Sequence, residues 1–341
     1  MSSAARRFTR RPLAILLAAA ATLGIAAAAP HPARAVLIFG GDGRNEGAPT
    51  GALAGSGWQY EGQWGLFLGT AIGPHHFLTA NHVGEGAAGN TQFVFQGTSY
   101  TAVERIYVPG TDLAIWRVDG TFSTYAPVYE GTGEVGGGIA VFGRGGPRDS
   151  EVRLADGTPR GWYGGAYDGL QSWGTNVVSD IIDTNQPGQP QLGDLLAWTF
   201  DQNQGPNECY LSGGDSGGGV FLNDNGVYKL AGINLGIEAY YSFVGNDSDK
   251  FLAAIYDARG LYLGDNNQYD YLAPSLPNPV PSHAYATRVS SNLDFIKRVV
   301  PGVNAPGDAI PEPGTLGPVA VGLILGIAPL ARRRSRRARA A

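Results

Sequence analysis

The chain has 341 residues, with 24 Lys+Arg, 29 Asp+Glu and a formal net charge of −5. Between Val36 and Gly314 the balance is 13 Lys+Arg against 29 Asp+Glu, a formal −16 that argues against nucleic acid or anionic membrane as partners of that segment. A single cysteine, Cys209, excludes an intrachain disulfide, and the 279 residues from 36 to 314 are enough to bury a core without one.

Residues 1–35 read as a signal peptide. Arg6, Arg7, Arg10 and Arg11 make a basic start, an apolar run follows from Leu13 to about Ala29, and Ala33-Arg34-Ala35 is a small-x-small cleavage site before Val36. Further on, Gln92-Phe93-Val94-Phe95, Val103 to Val108 and Leu113 to Val118 are short runs rich in branched and aromatic residues. Glycine, proline, asparagine and aspartate punctuate them, which predicts the strands of a sandwich or barrel. The glycine-dense segments Gly136 to Gly146 and Gly213 to Gly219 predict loops or tight bends. The stretches 146–210 and 238–284 lack clear periodicity and predict long surface loops or extra hairpins. Leu293, Ile296, Val299 and Val300 fall at helical spacing, with Ser290 or Ser291 as cap, and predict one helix over about 290–300. The fold class is therefore all-β with a C-terminal helix, followed by a linker over 303–310.

Three residues in distinctive frames carry the chemistry: His82 in Leu78-Thr79-Ala80-Asn81-His82-Val83, Asp112 in Thr111-Asp112-Leu113-Ala114-Ile115, and Ser216 in Gly213-Gly214-Asp215-Ser216-Gly217-Gly218-Gly219. Singly, each has a plain reading: a core histidine, a turn aspartate, a loop serine. Together they supply what acyl transfer requires. A serine hydroxyl is a poor nucleophile until a neighbouring base takes its proton. Histidine suits that duty, and a carboxylate must hold the imidazole in the right tautomer. Ser216 is the candidate nucleophile, His82 the base and then acid, and Asp112 the orienting carboxylate. The N–H groups of Gly214 and Ser216 are the candidate oxyanion hole. His75 and His76 sit nearby, but with no HExxH motif and no cysteine cluster neither a metal nor a cofactor is expected.

These frames resemble those of the trypsin/chymotrypsin superfamily of serine proteases. Leu78 to His82 is similar to its L-T-A-A-H, Asp112 to Ile115 to its D-I-A-L, and Gly214 to Gly218 to its G-D-S-G-G. Leu230-Ala231-Gly232-Ile233 resembles the strand lining the family's specificity pocket, and Tyr285 to Ser290 the entry to its C-terminal helix. The resemblance implies a protease domain over 36–302 made of two antiparallel β-barrels with the active site between them. The first, about 50–150, would supply His82 and Asp112; the second, about 151–287, would supply Ser216. Asn81, Val83 and Gly219 depart from the family's usual alanine, cysteine and proline. By the same resemblance Tyr210 stands at the pocket base, where trypsin-like members keep an aspartate, with Leu235, Gly236 and Ile237 as the wall. An apolar or restricted residue before the scissile bond follows. Ile38-Phe39-Gly40-Gly41 resembles the mature N-terminus I-V-G-G, which implies an activation pair between the Ile38 ammonium and Asp215.

The last segment, 311–341, has Pro311-Glu312-Pro313-Gly314, an apolar stretch from Leu316 to Ala331 and an arginine cluster from Arg332 to Arg339. It resembles the PEP-CTERM sorting signal of Gram-negative bacteria. That implies transient inner-membrane insertion, cutting by an exosortase, and delivery to the cell surface or exterior; a plain single-span anchor is the alternative. The combined expectation is an exported serine endopeptidase acting on proteins or peptides through an acyl-enzyme. A catalytically silent protease-like module of the surface or biofilm matrix, and an esterase with the same triad, are the other readings.

Overall fold

The computed structural model describes residues 36–85 and 91–304. The expected signal peptide, the sorting segment 311–341 and all of the linker beyond Asn304 lie outside the described residues.

Six strands, Glu61–Trp64, Phe67–Gly73, His76–Ala80, Gln92–Phe95, Thr98–Tyr107 and Leu113–Asp119, close an antiparallel barrel. His76–Ala80 pairs on one side with Phe67–Gly73 and on the other with Leu113–Asp119. Strand alternation fills the interior: in Gln92–Phe95, Phe93 and Phe95 are buried while Gln92 and Val94 are not. Phe77 stacks on Phe93 with ring centroids 4.0 Å apart, and Trp64 packs against both Phe77 and Trp116.

The second half differs from the expected second closed barrel. It is an open eight-stranded antiparallel sheet in the order Asp180–Asp183, Asp194–Thr199, His283–Arg288, Val227–Ile237, Gly219–Asp224, Gly138–Gly143, Ser172–Val177 and Asn45–Glu46. Among the described residues no ladder joins Asp194–Thr199, which pairs with Asp180–Asp183 and His283–Arg288, to Ser172–Val177. Instead the segment 207–210 occupies that seam: the Thr175 N–H donates to the Asn207 carbonyl at 2.7 Å. The Asn176 side-chain amide then spans the seam, donating to the carbonyls of Thr199 at 2.8 Å and Cys209 at 3.0 Å. Cys209–Tyr210 in turn pairs with Leu37–Ile38, so the N-terminal segment is woven in at the same place.

The stretches without periodicity are therefore not loops throughout. They hold Ser172–Val177 and Asp194–Thr199 of the main sheet, and two small three-stranded sheets, Arg148–Arg153 with Pro159–Gly164 and Ala253–Ile255, and Tyr240–Ser242 with Tyr262–Asp265 and Gln268–Tyr271.

The helix forms as Leu293–Val299, led by a 3₁₀ turn over Ser290–Asn292. Its cap position is Asn292, not Ser290 or Ser291, and no side chain caps it. The Ser290 hydroxyl donates instead to Glu134 at 2.6 Å. Ile296 and Val300 are buried in the same cluster as the barrel residues, so the chain returns from the second half to pack on the first. Phe142, Phe221, Leu230 and Ile233 of the sheet join that cluster, which locks the two halves across a shared apolar core.

Candidate active site

Strand register brings His82 and Asp112 together. Ala80 pairs with Leu113, so the residues just beyond that pair leave the barrel at the same end. His82 follows in a single 3₁₀ turn, Asn81–Val83, whose first N–H donates to the Asp112 carbonyl at 2.7 Å. The Asp112 turn is braced by Thr111, whose hydroxyl donates to the Val108 carbonyl and accepts the Leu113 N–H. The carboxylate of Asp112 then holds the histidine at two points: Oδ1 accepts the His82 backbone N–H at 2.9 Å, and Oδ2 lies 2.6 Å from Nδ1. Opposite, His82 Nε2 is 2.9 Å from Ser216 Oγ. Asp112 and Ser216 are 4% and 6% exposed, so the bonds stand in a largely dry setting where hydrogen bonds between such groups are strengthened.

Ser216 is held by its glycine frame. Gly217 has φ +81°, and a Cβ there would strike Thr79 Oγ1 at 2.3 Å and the Leu68 carbonyl at 2.5 Å. Gly214 has φ +106°, and its Cβ would meet Tyr167 Cδ2 at 2.8 Å and Gly145 Cα at 2.9 Å. The Gly213 carbonyl accepts the Gly146 N–H at 3.1 Å, and the Ser212 carbonyl accepts the Asp215 N–H at 3.2 Å. Among the described residues no carbonyl takes the N–H of Gly214 or of Ser216, the two expected oxyanion donors.

Asp215 points inward. Its carboxylate accepts the Gly145 N–H at 2.7 Å, the Ser212 N–H at 2.7 Å and the Ser212 hydroxyl at 3.1 Å. Burial nonetheless pushes its pKa up to about 6, because these neutral donors do not replace a countercharge. The expected partner Ile38 does not reach it. Ile38 is committed to the ladder with Cys209, and its N–H donates to the Gly43 carbonyl at 3.1 Å. The nitrogen that meets Asp215 belongs to Val36, at 3.4 Å from Oδ1.

Three of the expected pocket residues, Tyr210, Leu235 and Ile237, are buried, and they fall in two separate apolar clusters. The Gly217 N–H donates to the Asn234 carbonyl at 3.0 Å, which sets Leu235, Gly236 and Ile237 next along from the serine loop. Tyr210 is 1% exposed with its hydroxyl on the His283 carbonyl at 3.0 Å, and burial raises its pKa. Leu235 is buried against Leu195, Ala197 and Tyr285; Ile237 packs in the cluster that contains Tyr210. Gly236 lies at a register shift of the strand, opposite Tyr285.

Several supporting residues have no signal in the sequence. Arg105 donates to Asn81 Oδ1 at 2.8 Å, steadying the residue before His82. The buried Asn234 amide donates to the carbonyls of Phe142 at 2.7 Å and Asp215 at 3.0 Å, tying the serine loop to the sheet. Glu61, in the barrel wall, accepts the Gly219 N–H at 3.2 Å and the Thr70 hydroxyl at 2.8 Å. The first of these bonds is one that proline at 219 could not make. Burial pushes the Glu61 pKa up to about 8. Among the described residues no group of three or more His, Cys, Asp and Glu is placed to hold a metal ion, and no helix is long and apolar enough to cross a membrane.

No protein-family model matches the chain, and no curated protein does. Solved structures similar to it include the passenger domain of plasmid encoded toxin, an autotransporter enterotoxin of enteroaggregative Escherichia coli. That match has 17% identity and TM-score 0.41 and covers 71% of this chain but only 22% of the toxin chain. Two others are the Rv3671c protease in an inactive form, at 13% identity over 75% of this chain and 99% of that one with TM-score 0.40, and a serine-to-alanine mutant of Rv3671c from M. tuberculosis H37Rv, at 15% identity over 76% and 98% with TM-score 0.38.

Proposed function

We propose that the chain is an exported serine endopeptidase of trypsin-like type, with His82, Asp112 and Ser216 as its catalytic triad. The observation that carries this reading is the continuous line of bonds from Asp112 Oδ2 through both ring nitrogens of His82 to Ser216 Oγ, at 2.6 and 2.9 Å. Ser216 Oγ attacks the substrate carbonyl carbon as its proton passes to His82 Nε2. The carbonyl π pair moves to oxygen, where the N–H groups of Gly214 and Ser216 meet it. Collapse breaks the C–N bond, the amine leaves with the proton from His82, and the acyl-enzyme remains. Water then repeats the sequence and frees Ser216.

With Tyr210 in place of an acid at the pocket base, an apolar residue before the scissile bond is favoured over Arg or Lys. The Val36 nitrogen at Asp215 supports activation by a new N-terminus at Val36, the residue directly after the proposed signal cut. The tail 311–341 is proposed to insert in the inner membrane and to be released by an exosortase, leaving the enzyme at the surface or outside the cell. Labelling by a fluorophosphonate, lost on Ser216→Ala, tests the chemistry. A folded protein that resists the label returns the chain to a silent, binding role, and a labelled protein that cleaves esters but no peptide makes it an esterase.

A further inference from the structure

A cavity of about 340 Å³ lies between the halves, with Glu61, Gln63 and Leu68 on the barrel side and Arg144, Gly169 and Gln171 on the other. It abuts the nucleophile loop at two points. The Leu68 carbonyl packs against Gly217, and Glu61 holds the Gly219 N–H. Leu68 also accepts the Thr79 hydroxyl at 2.8 Å, on the strand that delivers His82. In the proposed reaction His82 hands its proton to the departing amine, so this wall belongs to the leaving-group side of Ser216.

The cavity's chemistry is one-sided. In a segment of formal charge −16, Arg144 bonds no carboxylate among the described residues. Its Nε donates to the Gly169 carbonyl at 2.8 Å, its Nη2 to the same oxygen, and its Nη1 to the Gly65 carbonyl at 3.3 Å. The nearby Asp168 is held by Arg44 at 3.0 Å. Burial pulls the Arg144 pKa down, as expected of a cation short of countercharge. Two further polar atoms of the lining have no partner among the described residues, Gln171 Nε2 and Glu61 Oε2. The amide nitrogen is a donor. So is the carboxyl oxygen at neutral pH, because burial keeps Glu61 protonated and Oε1 already accepts both of its bonds. A guanidinium and two unused donors call for an acceptor that carries charge.

We propose that this cavity takes the carboxylate of an acidic side chain on the leaving-group side of the scissile bond, with Arg144 as its charge partner and Gln171 as a donor. The proposal rests on the peptidase reading, and its test separates the two. Peptides carrying Glu or Gln at the first three positions after the scissile bond are bound to the Ser216→Ala protein, which cannot turn them over, and followed by fluorescence anisotropy. The Glu peptides should bind at least about tenfold more tightly, the scale of one charge-assisted hydrogen bond. That preference should vanish in Ser216→Ala/Arg144→Gln and shrink in Ser216→Ala/Gln171→Leu, which removes an amide nitrogen that bonds nothing among the described residues. Equal binding of the two peptide sets by Ser216→Ala overturns the proposal whatever the parent's labelling shows. A preference that survives Arg144→Gln overturns it as well. Failure of the parent to take the fluorophosphonate sinks the peptidase reading instead, and an acid preference found in that case assigns the cavity to a binding module.

Discussion

The backbone nitrogen of Val36 lies 3.4 Å from Oδ1 of Asp215, a contact across 179 residues. Among the described residues Asp215 has no cation as a partner, and Val36 is wholly buried beside it. Within an uncut chain Val36 holds φ at +30°, a costly conformation for a β-branched residue. A cut after Ala35 removes the preceding carbonyl that makes this φ unfavourable and turns an amide into an ammonium, whose pKa is about 8. Under the proposed processing, such a cut would bring a positive charge to Asp215. Protein beginning at Val36 is expected to take a fluorophosphonate at least about a hundredfold faster than protein with one extra residue before Val36, the scale of losing an oxyanion donor. Equal labelling rates, with N-termini verified by mass spectrometry, defeat this account.

Asp112 grips His82 through the ring and the backbone. Asp112→Asn keeps the shape but offers an amide N–H where the imidazole needs an acceptor, so the wrong tautomer is held. A loss in kcat on the order of 10⁴ is expected. Peptide hydrolysis at neutral pH measures it, and a variant within a few-fold of the parent argues against the assigned role.

Gly214 has little room for a side chain. Gly214→Ala adds a Cβ at 2.8 Å from the Tyr167 ring, on a backbone with φ +106°. The peptide must move, and its N–H moves with it. We expect kcat to fall about 10²–10³-fold with little change in KM. A variant whose loss lies wholly in KM points to substrate contact instead.

Glu61 makes stability depend on pH. Its carboxyl rises from an ordinary 4.5 to about 8 in the folded state, by burial above all. Between those values the folded chain holds a proton that the unfolded chain has released, so stability falls as pH rises through this window and levels off above about 8. Glu61→Gln retains an oxygen for Thr70 and Gly219 and carries no such titration. Urea unfolding of both proteins from pH 5 to 9 should show the variant gaining on the parent up to about pH 8. Parallel curves refute the assignment.

The pocket residues make a prediction about cleavage. If the proposed pocket base at Tyr210 holds, a peptide library should be cut after apolar residues in preference to Arg and Lys, because a buried ring offers no carboxylate to a basic side chain. Equal cleavage after arginine and leucine contradicts it.

Much of the candidate site was legible in the chain because His82, Asp112 and Ser216 sit inside short contiguous frames. The barrel strands were legible for a similar reason: Gln92–Phe95 alternates cleanly between core and solvent. Ser172–Val177 and Asp194–Thr199 were not, since nearly every position in each is buried or half-buried and no period of two survives. Arg105 and Asn81, 24 residues apart, carry no local mark of their bond.

From sequence alone came the three residues the structure brings together, Asp112, His82 and Ser216, the glycine frame that lets the backbone close round Ser216, and the expectation of a cleavage site before Val36. These are local properties, written in neighbouring residues. The tertiary structure decided which nitrogen meets Asp215, because committing Ile38 to a ladder with Cys209 leaves Val36 as the one that arrives. It also decided that the second sheet stays open, with segment 207–210 in its seam, and that Arg144 faces a cavity with no carboxylate of the described residues bonded to it. Each of these depends on residues far apart in the chain competing for the same space and the same hydrogen bonds, and no local pattern encodes the outcome of that competition.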